Sequence, residues 1–111
     1  MRFILFLSLL GIVHACSYRT ADKPSPQVNT FEAGEKFRVN LPEDHSKGYA
    51  WVLSNDFDHQ GIDYIKAVWH GPDKGVDFNF EGKAQVKTTL TFYSIMYHDT
   101  ADTKQVEVEI K

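Results

Sequence analysis

Asp44-His45-Ser46 sets an acid, a base and a hydroxyl side by side, the three residue types of a nucleophilic triad. A working triad brings its base to its nucleophile across space from separate elements, which three consecutive residues do not do. The segment therefore reads as a polar turn, and no Gly-x-Ser-x-Gly elbow occurs elsewhere. Two carboxylate pairs, Asp56 with Asp58 and Glu107 with Glu109, have the chemistry for proton transfer. The first falls in a loop and the second on the charged face of a strand, where solvated charge is the ordinary role. Of five histidines, His14 belongs to an apolar leader, while His45, His59, His70 and His98 stand apart without the short ligand spacing of a zinc site. There is no glycine-rich phosphate cradle and no dinucleotide fingerprint. The expectation is a protein without catalytic residues, cofactor or metal, hence not an enzyme.

Charge narrows the partners. The formal net charge is −3, with no basic run. Nucleic acid demands a cationic patch, and a lipid headgroup surface a polybasic segment, so neither is an expected partner. Met1-Arg2 followed by an apolar run from Phe3 to Val13 is too short to cross a hydrocarbon core of about 30 Å. With the exit Val13-His14-Ala15 it reads as a signal peptide over residues 1–15. Cys16, the one cysteine, excludes an intrachain disulfide. Its position after Val13-His14-Ala15 resembles the bacterial lipoprotein signal, in which that cysteine carries lipid and becomes the mature N-terminus. Val13 and Ala15 equally satisfy an ordinary signal peptidase, which would release a soluble secreted protein. The expected location is the bacterial envelope, periplasmic or surface, with membrane contact only through lipid on Cys16. Pro24 and Pro26 among polar neighbours make residues 16–27 an extended tether.

The elements that must hold any site show a period of two from Val28 onward. Phe37, Val39 and Leu41 alternate with Lys36, Arg38 and Asn40; Tyr49, Trp51 and Leu53 follow. Val76, Phe78 and Phe80, then Val86, Thr88, Leu90 and Phe92, and finally Val106, Val108 and Ile110 continue it. Turn residues separate these runs at 33–35, 42–48, 71–73, 81–83 and 98–103. Ile62 to Trp69 fits either a strand or a short helix. One all-β domain over residues 28–111 is predicted, an immunoglobulin-like antiparallel β-sandwich of about seven strands, acting as a monomer. Three segments joining well-patterned strands are its candidate binding loops: Pro42 to Gly48, Trp69 to Gly75 and Tyr93 to Thr103.

Ala33-Gly34-Glu35-Lys36-Phe37-Arg38-Val39-Asn40-Leu41-Pro42, followed by Gly48-Tyr49-Ala50-Trp51, resembles the chagasin family of cysteine-protease inhibitors. Phe78-Asn79-Phe80, Lys83-Ala84, Leu90-Thr91-Phe92 and the strand from Val106 to Lys111 match its later strands in order and separation. The resemblance implies an inhibitor of papain-like cysteine proteases that occludes the active-site cleft with loops from one end of the sandwich. Its central loop would be Asp44, His45, Ser46, Lys47 and Gly48, based on Tyr49 and Trp51. Flanking contacts would come from Gly71, Pro72, Asp73, Lys74 and Gly75, and from Ser94, Ile95, Met96 and Tyr97. The contact loops depart from the family pattern: His45 stands at a proline, Lys47 at a threonine, and no Arg-Pro precedes Tyr97. The same scaffold in a non-inhibitory envelope lipoprotein would instead bind a peptide, a glycan or another protein.

Overall fold

Phe37, Val39 and Leu41 are all buried while Lys36 and Asn40 face solvent, so the alternation in the sequence becomes one dry and one wet face of a strand. The same division governs Val106, Val108 and Ile110 against Glu107 and Glu109. The computed structural model describes residues 18–97 and 99–111. The leader, Cys16 and His98 lie outside the described residues.

Eight strands are formed among the described residues: β1 (Arg19–Thr20), β2 (Val28–Phe31), β3 (Lys36–Leu41), β4 (Tyr49–Leu53), β5 (Ile62–Trp69), β6 (Val76–Gly82), β7 (Val86–Met96) and β8 (Asp99–Ile110). They make two four-stranded sheets, ordered β1-β3-β6-β5 and β2-β8-β7-β4. The inner faces meet in an aromatic core. Phe31 stacks on Phe37 and Phe37 on Phe80, with ring centroids 4.3 and 5.3 Å apart, while Phe78 leans on Phe92 across 5.0 Å.

Three details refine the expected antiparallel sandwich. The central pairings are antiparallel, but β1 runs parallel to β3 and β2 parallel to β8. The N-terminal segment lies along the edge of one sheet, then crosses to the edge of the other. Strand pairing accordingly reaches back to Arg19, ahead of Val28. Ala21 is buried and its N–H donates to the Arg38 carbonyl at 2.8 Å. The buried Asn29 side chain closes the crossing by bonding Lys23 through both main-chain groups and the Glu107 carbonyl. Backbone pairing, which has no apolar signature, holds what composition alone assigns to a tether. Finally, residues 99–103 belong to β8 rather than to a loop. The β7–β8 hairpin continues, with one register shift between Ser94 and Ile95, to Met96 opposite Asp99, past the end of the core. Residues beyond a core have no dry face, and 99–105 are exposed on both sides of the strand.

Candidate functional site

Register brings three chain reversals to one end of the sandwich. In one sheet Val76 pairs with both Leu41 and Trp69; in the other Met96 pairs with both Tyr49 and Asp99. The connection 42–48, the connection 70–75 and the turn that starts at Tyr97 therefore project together.

The central connection is tied down by a carboxylate. Glu43 is only 5% exposed. One of its oxygens accepts the Trp51 main-chain N–H at 2.7 Å, and the other lies 2.6 Å from Nε2 of His45. Its carbonyl accepts the Trp69 indole N–H at 2.9 Å, and the neighbouring Pro42 carbonyl accepts that of Trp51 at 2.7 Å. The His45 ring in turn stacks on Trp69, 4.0 Å between centroids and 18° from parallel. Between these anchors His45–Lys47 form one turn of 3₁₀ helix. Asp44 caps it, accepting from the Ser46 N–H at 3.0 Å and the Ser46 hydroxyl at 2.6 Å. The hydroxyl bond, helped by the Ser46 N–H and the charges of Lys47 and His45, outweighs desolvation and holds the Asp44 carboxyl below its ordinary 3.8. The cap is thus complete above that value and is lost as pH falls through the lower folded one. Gly48 ends the turn at φ 84°, a left-handed conformation open to glycine, with its N–H on the His45 carbonyl at 3.1 Å. Tyr97 covers this glycine, and a methyl group added there would sit 3.3 Å from the Tyr97 hydroxyl.

A second buried carboxylate holds the second loop. Asp77 receives Asn40 Nδ2 at 2.8 Å, lies 2.9 Å from His70 Nε2 and faces Arg38 at 3.7 Å. Asn40 also donates to the Lys74 carbonyl at 2.9 Å. Inside the loop the Gly75 N–H returns to the Gly71 carbonyl at 2.9 Å. Gly75 has φ 72° and packs so tightly on the Leu41 carbonyl that a Cβ would overlap it. Pro72, Asp73 and Lys74 are left exposed at the tip.

The third group differs from expectation. Ser94, Ile95 and Met96 lie in β7, and Ser94 is 5% exposed, so it is removed from the contact set. Tyr97 alone breaks from the strand, at φ 52° and 80% exposed.

No family model and no curated protein matches the chain. Solved structures do. The cysteine protease inhibitor EhICP2 from Entamoeba histolytica aligns with a TM-score of 0.67 at 12% identity, over 85% of this chain and 93% of that one. Amebosin, in its solution structure, aligns with a TM-score of 0.52 at 14% identity, over 85% and 94%. The chain has the fold of a cysteine protease inhibitor.

On this inhibitor fold, the residues singled out by sequence separate into two groups. Asp44 to Gly48, Pro72 to Lys74 and Tyr97 come together at one end; Gly75 and Ser94 support from beneath. Trp51 and Tyr49, both half-buried, lie in β4 directly after the central loop. Glu43 and Trp69 are the residues that sequence reasoning missed. Glu43 stood beside a proline like any surface acid, and Trp69 merely bounded a loop; two indoles bonding 42–43 main-chain carbonyls have no local signature. The described histidines are engaged by separate sets of neighbours: His45 by Glu43 and Trp69, His70 by Asp77, and His59 by the Asn55 carbonyl at 2.8 Å and the Phe57 ring. Among the described residues, no three histidine, cysteine or carboxylate groups converge as metal ligands would.

Proposed function

We propose that this protein is a reversible inhibitor of papain-like cysteine peptidases and binds by occluding the active-site cleft, not by catalysis. The central loop, Asp44 to Gly48, is the wedge. Tyr97 and Met96 flank it on one side, and Trp69 with Pro72 to Lys74 on the other. One observation carries the reading: at the loop-bearing end of a fold shared with a cysteine protease inhibitor, the central loop is a capped 3₁₀ turn. A peptidase cleft cleaves extended chain, so a helical turn fills it without laying a peptide bond across the nucleophile. A loop already held in its bound shape loses little entropy on docking, and a modest interface can then be tight.

The reading is tested by titrating residues 17–111 against papain and a cathepsin-L-type peptidase, following hydrolysis of a fluorogenic peptide. Stoichiometric or nanomolar inhibition is expected. Full peptidase activity at high micromolar concentrations of folded, uncleaved protein would overturn it and leave a non-inhibitory binding module for a peptide, glycan or protein.

Export by the leader, with lipid on Cys16 tethering the domain to a bacterial envelope, completes the proposal. Cys16→Ser is expected to move the protein from the membrane fraction to the soluble one. An unchanged distribution would favour simple secretion.

A further inference from the structure

We infer that Glu43 is the positioning residue of the wedge, acting through His45 to lock the central and second loops into one unit. The inference rests on the inhibitor reading for its consequence, though not for its geometry. A carboxylate buried to this degree is unfavourable unless its oxygens are matched by donors. Glu43 has a donor at each. Trp51 belongs to β4, the edge strand of its sheet among the described residues, and its N–H goes to Glu43 and not to a further strand. Glu43 takes the place of such a strand. A carboxylate oxygen accepts, so we assign the proton of the contact at the other Glu43 oxygen to Nε2 of His45. The His45 ring is thereby fixed at its edge by Glu43 and on its face by Trp69. Trp69 comes from the second loop's base and also donates to the Glu43 carbonyl. Glu43, His45 and Trp69 form a closed circuit of three contacts spanning the two loops. Neither loop can shift without breaking one of them.

This arrangement makes a chemical prediction that simple packing does not. In Glu43→Gln the amide oxygen can keep the Trp51 N–H while its NH₂ faces His45, which must then accept at Nε2 and carry its proton on Nδ1. The geometry survives and the tautomer reverses. In Glu43→Ala both bonds are lost.

Imidazole ¹⁵N shifts, amide hydrogen exchange and peptidase titration on the same samples test it. With the shifts read at a pH where the imidazole is neutral, wild type should show an Nε2-protonated His45, and Glu43→Gln an Nδ1-protonated one with inhibition close to wild type. Glu43→Ala should exchange the Ser46 to Gly48 amides about tenfold faster and inhibit about tenfold less well, the scale of one lost hydrogen bond to a charged group. Should Glu43→Ala fail to fold, His45→Ala decides the matter, since that side chain is 48% exposed and its loss breaks the circuit without emptying a buried site. Wild-type exchange rates in a folded Glu43→Ala or in His45→Ala, or an unchanged tautomer in Glu43→Gln, would overturn the inference even if the protein inhibits. A wild-type protein that does not inhibit would overturn the inhibitor reading alone, because exchange and tautomer are read without a peptidase.

Discussion

Phe80→Ala should destabilise the domain by about 3–5 kcal/mol, the range for emptying a fully buried aromatic site. The ring is wholly buried on β6, the strand that joins β3 to β5 in the middle of its sheet. Three other rings meet it: Phe37 at 5.3 Å, Tyr64 at 5.5 Å and Phe57 edge-on at 6.2 Å. Those rings come from β3, from β5 and from the connection between β4 and β5, and backbone pairing limits how far they can move into the space. The cavity term therefore stays large. Domains of this size have only about 5–15 kcal/mol of stability in total, and each kcal/mol moves the melting temperature by about 4–8 °C. A loss of about 12 °C or more is thus expected in thermal unfolding. A loss under about 1.5 kcal/mol would mean that the site collapses and that the core is not centred on this ring.

How far such a core can be read in advance depends on whether each strand has a dry side. β3, β6 and β8 declare themselves because Phe37-x-Val39-x-Leu41, Val76-x-Phe78-x-Phe80 and Val106-x-Val108-x-Ile110 each put one face on the core. β5 did not, since a bulge between Tyr64 and Lys66 breaks its period of two and most of its side chains are exposed. β1 is two residues long and exposed, its contribution being main-chain pairing with Phe37 and Arg38. The outer half of the β7–β8 hairpin is polar on both faces, which in sequence is indistinguishable from loop. The site was legible to the same degree. Pro42 and Gly48 bracket the central loop, which does connect the two sheets. What holds this loop was not legible, because Glu43 acquires its burial and partners from residues 8 and 26 positions away. Non-local burial converts an unremarkable acid into the centre of the loop.

Gly48→Pro should lower inhibition by at least about 100-fold, equivalent to some 2.7 kcal/mol of binding, while leaving the sandwich folded. Three requirements fail together. The native φ of 84° is replaced by one locked near −65°. The N–H that closes the turn on the His45 carbonyl is removed. Lys47, now preceding a proline, is driven out of the helical region that the 3₁₀ turn needs. The turn must open, and an open loop is both a poorer wedge and a better substrate, so slow cleavage by the peptidase should accompany the loss. Gly48→Ala separates the terms. It keeps the N–H and meets only the left-handed penalty of about 1 kcal/mol, with the Tyr97 hydroxyl obliged to yield. A graded series, wild type above Ala above Pro, is expected from the titration, and near-equal melting curves would place the effect in the loop. The strands at the loop's two ends, β3 and β4, lie in different sheets and take their strand pairing from β1, β6 and β7, so the sandwich does not depend on Gly48. Undiminished inhibition by a folded Gly48→Pro would mean that the peptidase is met by Tyr97 and the second loop, with the central turn standing clear of the cleft.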